Sequence, residues 1–167
     1  WSNNALFRWE ICRMADGSQI LSAEARFYDE IADAMVTGAS QVLDQAGVAY
    51  TRMAVPGTFE VPALIRFAIR SMEVGAAVQR YSGFIALGCV IRGETDHYEH
   101  ICREATRALM ELSTTYSVAL GFGILTCDTY EQAWERADVG QKNKGAAAAR
   151  ACLKMMEHKR SLRLVIR

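Results

Sequence analysis

Proline is scarce in this chain, neither sign of charge is in excess, and no cysteine has a near neighbour. Only Pro56 and Pro62 are prolines among 167 residues, and no internal repeat or low-complexity linker divides the chain. Lys plus Arg equals Asp plus Glu at 19 each, so no global field points to nucleic acid or to an anionic membrane surface. Any preference for phosphate has to be local. Cys12, Cys89, Cys102, Cys127 and Cys152 are odd in number, widely spaced and never form a C-x-x-C pair. That argues against a disulfide framework and against a structural zinc site, and the five read as small core residues. No apolar run approaches the roughly 20 residues that span a bilayer, and residues 1–9 lack the apolar centre of a secretion signal. A cytoplasmic protein without a membrane partner is the expectation.

What is present is a regular alternation of strands and helices. The length suits one domain with a substantial core. Residues 20–26 read as a weak first strand, followed by Ile31, Ala34, Met35, Ala39, Val42, Leu43 and Ala46 at helical spacing, with Gly47 closing that helix. Residues 50–55 give a second strand. Pro56 and Pro62 bracket the next loop: Pro56 restricts its predecessor to extended geometry, Gly57 permits a turn or a close approach, and Pro62 suits the first turn of a helix. The run 84–90 suits a strand buried on both faces, and Tyr98, Ile101, Cys102, Ala105, Leu109 and Leu112 mark an amphipathic helix starting near His97. A fourth strand over 118–126 leads through a turn, in which Asp128 and Glu131 match a capping pattern, into a fourth helix. An alanine-rich helix then follows residues 143–145. Such an order implies an α/β fold, a three-layer α/β/α sandwich around a mainly parallel four-stranded sheet. Residues 1–17 show no clean period and are expected to form an arm or edge strand, residues 18–160 the domain, and residues 161–167 a tail.

The most informative stretch is Gly88-Cys-Val-Ile-Arg-Gly-Glu-Thr-Asp-His97, where a buried strand ends and a helix begins. Open α/β sheets place their ligands at such junctions. Exposed amides at a helix start attract anions, Arg92 adds full charge, and a histidine moves protons near neutral pH. A phosphate-bearing substrate undergoing acid–base chemistry is one reading; a solvated, capped turn is the other.

Further motifs narrow the choice. Val55-Pro-Gly-Thr-Phe-Glu-Val-Pro62, the 88–97 stretch, Gly121-Phe-Gly-Ile-Leu-Thr126, Glu131-Gln-Ala-Trp-Glu-Arg136 and Asn143-Lys-Gly145 resemble, in order and spacing, the 6,7-dimethyl-8-ribityllumazine synthase family. The likeness spans roughly residues 20–158, and five short strings in register are far more specific than any one of them. The resemblance implies a flavodoxin-like fold and the penultimate step of riboflavin synthesis. In that step 5-amino-6-(ribitylamino)pyrimidinedione condenses with 3,4-dihydroxy-2-butanone 4-phosphate, losing phosphate and water. No metal or other cofactor is implied.

Carried over onto this chain, the resemblance gives Phe27 as the ring that stacks on the pyrimidine. Thr58, Phe59 and Glu60 would bind the same substrate and its ribityl chain, with the backbone of Cys89, Val90 and Ile91 behind them. Glu94 and Thr95 would offer backbone contacts to the phosphate, Arg136 would pair with it, and His97 would transfer protons. Phe122 and Arg136 would reach the pocket from a neighbouring subunit. These residue types suit such a reaction. The substrate amine is already a nucleophile, so the protein has to orient two reactants, hold a leaving phosphate and shuttle protons. By type alone, Phe27 and Phe122 read as core aromatics, Glu60 as a first-turn helix acid, and Arg136 as a solvated residue paired with Glu131 or Glu135. Tyr28 stands where many members carry asparagine. Ser22 and Ala23 are small for a central first strand. Asp96 either holds His97 protonated or weakens phosphate affinity.

The resemblance also implies a homo-oligomer, at least a pentamer, with sites shared between neighbours; some members assemble twelve pentamers into an icosahedral 60-mer. The stretch 137–142 permits a shell, while Asp138 and Gln141 favour free pentamers. Riboflavin synthase is an open candidate partner. Two rival functions are weighed. A binding paralogue or purely structural shell would have lost His97 or Arg136, and both are present. The archaeal-type riboflavin synthase needs no phosphate site, which Arg136 and the Gly93-Glu-Thr95 turn suggest.

Overall fold

A computed structural model describes residues 19–164. The arm expected over residues 1–17 lies outside the described residues. Four strands form one sheet: β1 (Gln19–Ala25), β2 (Ala49–Val55), β3 (Gly83–Ile91) and β4 (Ala119–Cys127), in the spatial order β2-β1-β3-β4. All three pairings are parallel, with Ala23 opposite Met53 and Ala86, and Ala86 opposite Phe122. Among the described residues the sheet is therefore wholly parallel, where the sequence predicts only a mainly parallel one. The order matches the start of the flavodoxin-like doubly wound series, whose ligands sit where neighbouring strands are entered from opposite sides.

Each parallel connection carries a helix: α1 (Asp29–Gln45), α2 (Val61–Glu73) and α3 (His97–Thr115), followed by α4 (Tyr130–Ala137) and α5 (Lys144–Ser161) after the last strand. Strand side chains alternate between two cores. Ile20, Ile85, Leu87 and Cys89 face α1, α4 and α5, packing with Ile31, Met35, Leu43, Ala133, Cys152 and Met156. Leu21, Ala23, Phe84 and Ala86 face α2 and α3, packing with Val61, Ile65, Ile69 and Leu109. This is the three-layer sandwich expected from the alternating pattern.

Local chemistry sets the element ends. Gly47 follows α1 with φ at 63°, a left-handed conformation that glycine adopts without a Cβ clash. Thr58–Glu60 form a short 3-10 turn, and Pro62 occupies the first turn of α2, where a missing N–H costs no helical bond. The cap of α4 differs from the expected Asp128–Glu131 pair. The Gln132 N–H donates to Thr129 Oγ1 at 3.2 Å, and Gln132 Oε1 accepts from the Asp128 N–H at 2.9 Å. Thr129 is thus the N-cap, and the Gln132 side chain reaches back past it to the N–H of the preceding residue. This leaves the Asp128 carboxylate for another partner. Asn143, at φ 44°, caps α5 by accepting from the Ala146 N–H at 3.2 Å. His158, Lys159 and Arg160 form the basic last turn of α5.

Candidate active site

The carboxyl ends of β1, β2 and β3 converge on one cavity of about 570 Å³. β1 delivers Phe27 and Tyr28 to it, the loop after β2 delivers Pro56 to Glu60, β3 ends in it with Cys89, Val90 and Ile91, and α3 starts beside it with His97 and Ile101. Its position between β1 and β3 is where this strand order reverses, and where open α/β sheets take ligands.

Eight of the residues expected at the site meet here: Phe27, Thr58, Phe59, Glu60, Cys89, Val90, Ile91 and His97. Thr58 is buried and its hydroxyl donates to the Cys89 carbonyl at 3.4 Å, tying the proline-bracketed loop to β3. Phe27 and Phe59, by contrast, are 71% and 58% exposed. Large rings left in water at the rim of a cavity are available to a flat ligand or to another protein surface. Glu60 and His97 are likewise exposed.

Glu94 and Thr95 sit on the exposed turn between β3 and α3, next to the cavity but not lining it. Thr95 Oγ1 accepts from the His97 N–H at 3.4 Å. Phe122 and Arg136 line no part of the cavity of their own chain. Phe122 is 46% exposed on edge strand β4, opposite Ala86 and four residues short of Thr126. Arg136 occupies the last turn of α4; its Nη1 donates to the Gln132 carbonyl at 2.9 Å and lies 3.5 Å from Glu135 Oε2. Lys142 Nζ holds the other Glu135 oxygen at 3.0 Å, and this lowers the Glu135 carboxyl below the usual range.

Two further wall residues, Ile101 and Tyr28, carry no binding role in the sequence reading. Ile101 stands one helical turn after His97, so the i, i+4 spacing puts both on one face. Tyr28 packs edge-on against Phe27, ring centroids 4.9 Å apart, and burial raises its phenol above the ordinary value. Burial also pushes the Cys89 thiol up to about 12, so at neutral pH it is a small apolar wall group, not a nucleophile. Arg92, read from sequence as a source of charge for an anion, is instead engaged by Asp128 and Glu99.

Among the described residues no group of three His, Cys, Asp or Glu side chains is placed to hold a metal ion, and no helix is long and apolar enough to cross a membrane. What the site offers is aromatic surface, one carboxylate, one imidazole and a turn of backbone amides at a helix start. That set suits orientation of a flat, hydroxylated ligand and proton transfer.

The family model for 6,7-dimethyl-8-ribityllumazine synthase matches residues 17–160. A 6,7-dimethyl-8-ribityllumazine synthase from Paramagnetospirillum magneticum is 48% identical over 147 residues, covering 88% of this chain and 98% of that protein. The 6,7-dimethyl-8-ribityllumazine synthase 1 of Rhizobium meliloti is 51% identical over 143 residues, covering 86% of this chain and 92% of that one. A third, from Afipia carboxidovorans, is 49% identical over 146 residues, covering 87% and 88%. With its strand-end cavity and these relatives, the chain belongs to the 6,7-dimethyl-8-ribityllumazine synthase family.

Proposed function

We propose that this chain catalyses the condensation of 5-amino-6-(ribitylamino)pyrimidinedione with 3,4-dihydroxy-2-butanone 4-phosphate, giving 6,7-dimethyl-8-ribityllumazine, phosphate and water. The observation that carries the reading is the single cavity that gathers Phe27, the Thr58–Glu60 turn, the end of β3 and His97. In this reading the pyrimidine stacks on Phe27 and runs along β3, and Glu60 accepts hydrogen bonds from ribityl hydroxyls. The substrate amine adds to the ketone carbonyl, water leaves to give an imine, and phosphate is expelled as a neighbouring carbon loses its proton. The resulting enol tautomerises to a ketone, and the ribityl-bearing amine adds to that carbonyl and closes the ring with loss of a second water. His97, at the start of α3, is the group that carries protons between these steps. The backbone of Glu94 and Thr95 cradles the phosphate, as amides at a helix start do.

A second copy of the chain completes the site. Phe122 and Arg136 lie outside their own cavity, and Phe27 and Phe59 are left largely in water. A heterologous contact that closes into a five-fold ring would bring a neighbour's Phe122 and Arg136 over the mouth, with Arg136 pairing to the phosphate. The pentamer is the smallest assembly in this reading, free or as part of a 60-mer shell. Riboflavin synthase, in the same cytoplasmic compartment, is the partner that would consume the product.

The test is product absorbance and fluorescence when purified protein meets both substrates, against each substrate alone and the uncatalysed mixture. Lumazine formed above background with phosphate released in equal amount is the expected result. Tight pyrimidine binding without acceleration would replace this reading with a binding paralogue.

A further inference from the structure

β3 leaves the sheet at Ile91, and the next residue, Arg92, ties together three separate pieces of chain. Its backbone N–H donates to the Cys127 carbonyl at 2.9 Å, at the end of β4. Its Nε donates to Asp128 Oδ1 at 3.0 Å, and its Nη1 donates to Glu99 Oε1 in the first turn of α3. The guanidinium also lies over the Tyr98 ring, 4.2 Å from the centroid. Planar, forked and always charged, it bridges two carboxylates and stacks on a ring at once, which a lysine ammonium cannot do.

Residues 93–96, which join these anchored ends, are exposed, and a Cβ at Gly93 would meet nothing within 4 Å. The turn is held at its ends and is not packed along its length. Its charges matter as well. Glu94, Asp96, Glu99 and Asp128 crowd the same corner, and uncompensated they oppose a phosphate dianion. Arg92 offsets two of them. Asp128 and Glu99 hold the guanidinium through Nε and Nη1, which fixes its plane between the end of β4 and the first turn of α3.

We propose that Arg92 is a positioning residue: clamped to Asp128, Glu99 and Tyr98, it sets the turn 93–96 and the start of α3, and so places the Glu94 and Thr95 amides and His97 against the phosphate-bearing substrate. The inference rests on the condensation reading of the site. It assigns Arg92 to the second substrate and not to the pyrimidine, whose wall is built by Phe27, the 58–60 turn and β3.

The experiment compares the wild type, Arg92→Lys, and the double variant Glu99→Gln/Asp128→Asn, which keeps Arg92 but removes its anchors. The readouts are kcat, KM for the butanone phosphate, inhibition by inorganic phosphate, the pyrimidine Kd and the thermal midpoint. A displaced turn in Arg92→Lys should raise KM for the butanone phosphate and the inhibition constant of inorganic phosphate roughly ten-fold and lower kcat, with the pyrimidine Kd within about two-fold. The double variant should show the same split. Unchanged constants in both variants overturn the assignment, as does a pyrimidine Kd that worsens in parallel, which marks a general loosening of the fold. A wild type that forms no lumazine overturns the condensation reading instead. The clamp is then judged by inorganic phosphate binding alone, and equal binding by wild type and Arg92→Lys sinks it.

Discussion

Glu24 lies in central strand β1 with its carboxylate buried, and Arg52 of edge strand β2 grips both oxygens, at 2.7 Å through Nε and 3.0 Å through Nη2. A buried carboxylate is costly unless it is paired and hydrogen-bonded. The pair is lopsided, because the Arg52 side chain is half exposed, so solvent screens part of the attraction. Arg52→Ala leaves Glu24 uncompensated beneath α1 and should destabilise the fold by about 2 kcal/mol, or roughly 4–8 °C in thermal midpoint. Glu24→Leu/Arg52→Met, which removes both charges, should recover most of that loss. Thermal unfolding of the two variants checks this; an Arg52→Ala midpoint equal to the wild type would mean that water reaches Glu24.

Much of the frame was legible in the sequence because each signal was local. The alternation of strand and helix, the Gly47 stop, the Pro62 start and the helix beginning near His97 each depend on neighbours within a few residues. Part of the site was legible from topology, since the loops after β2 and β3 of one parallel sheet have to lie at the same end and so bring Thr58–Glu60 and His97 together, whereas Phe27, a core aromatic by type, was placed there only by the family resemblance. Pairings between distant residues were not legible. Asp128 with Glu131 and Thr129 with Gln132 both have capping spacing, and the structure uses the second pair while Arg92, 36 residues from Asp128 in sequence, holds that carboxylate. Glu24 reads as an ordinary polar strand residue until Arg52 is seen beside it.

His97 tests the chemical step. If it carries protons while Phe27 and the 58–60 turn hold the pyrimidine, His97→Ala should lower kcat by about 10²-fold and leave the pyrimidine Kd nearly unchanged. The low end of the usual range applies because the amine is already a nucleophile and orientation supplies most of the rate. Steady-state kinetics with a separate binding titration measures both. Turnover at the wild-type rate would remove His97 from its role.

Arg136 tests the shared site. A guanidinium that pairs with phosphate contributes a charge-assisted bond, so Arg136→Ala should raise KM for the butanone phosphate by roughly 10–100-fold, with pyrimidine binding spared. A loss confined to pyrimidine binding would contradict the assignment. Because Arg136 does not line its own cavity, mixing Arg136→Ala subunits with His97→Ala subunits should restore some activity, as mixed neighbours form sites with neither defect.

The buried thiols set an alkaline limit on stability. Burial pushes Cys89 and Cys152 up to about 12 from an ordinary value of 9.0. Between those two pH values the folded chain keeps thiol protons that the unfolded chain releases. This contribution to stability is therefore fully present below pH 9 and is lost as pH rises towards 12, by about 1.4 kcal/mol per pH unit for each thiol. Cys152→Ala removes one share. The variant should lose less stability than the wild type between pH 8 and pH 10, by about 1.4 kcal/mol, in urea unfolding at the two pH values. Equal losses would mean that Cys152 titrates normally and that water reaches the α5–sheet interface.

Gly145 lets α5 lie directly on α1. A Cβ there would overlap the Met35 carbonyl oxygen and stand 2.8 Å from its carbon, both backbone atoms in the middle of α1 that cannot swing aside. Gly145→Ala therefore has to push the helices apart, along an interface that also holds Met35, Ala39, Ala146 and Ala149 in the core. Overpacking of this kind costs about 3 kcal/mol, while the better helix propensity of alanine returns at most about 1 kcal/mol. Gly140→Ala is the control, since a Cβ at Gly140 would meet only Asp138 oxygens at 3.6 and 3.9 Å, ordinary contact distances. The expected result in urea unfolding is a lower midpoint for Gly145→Ala and an almost unchanged one for Gly140→Ala. Equal midpoints would show that α1 and α5 slide past each other more freely than their close approach at Met35 allows.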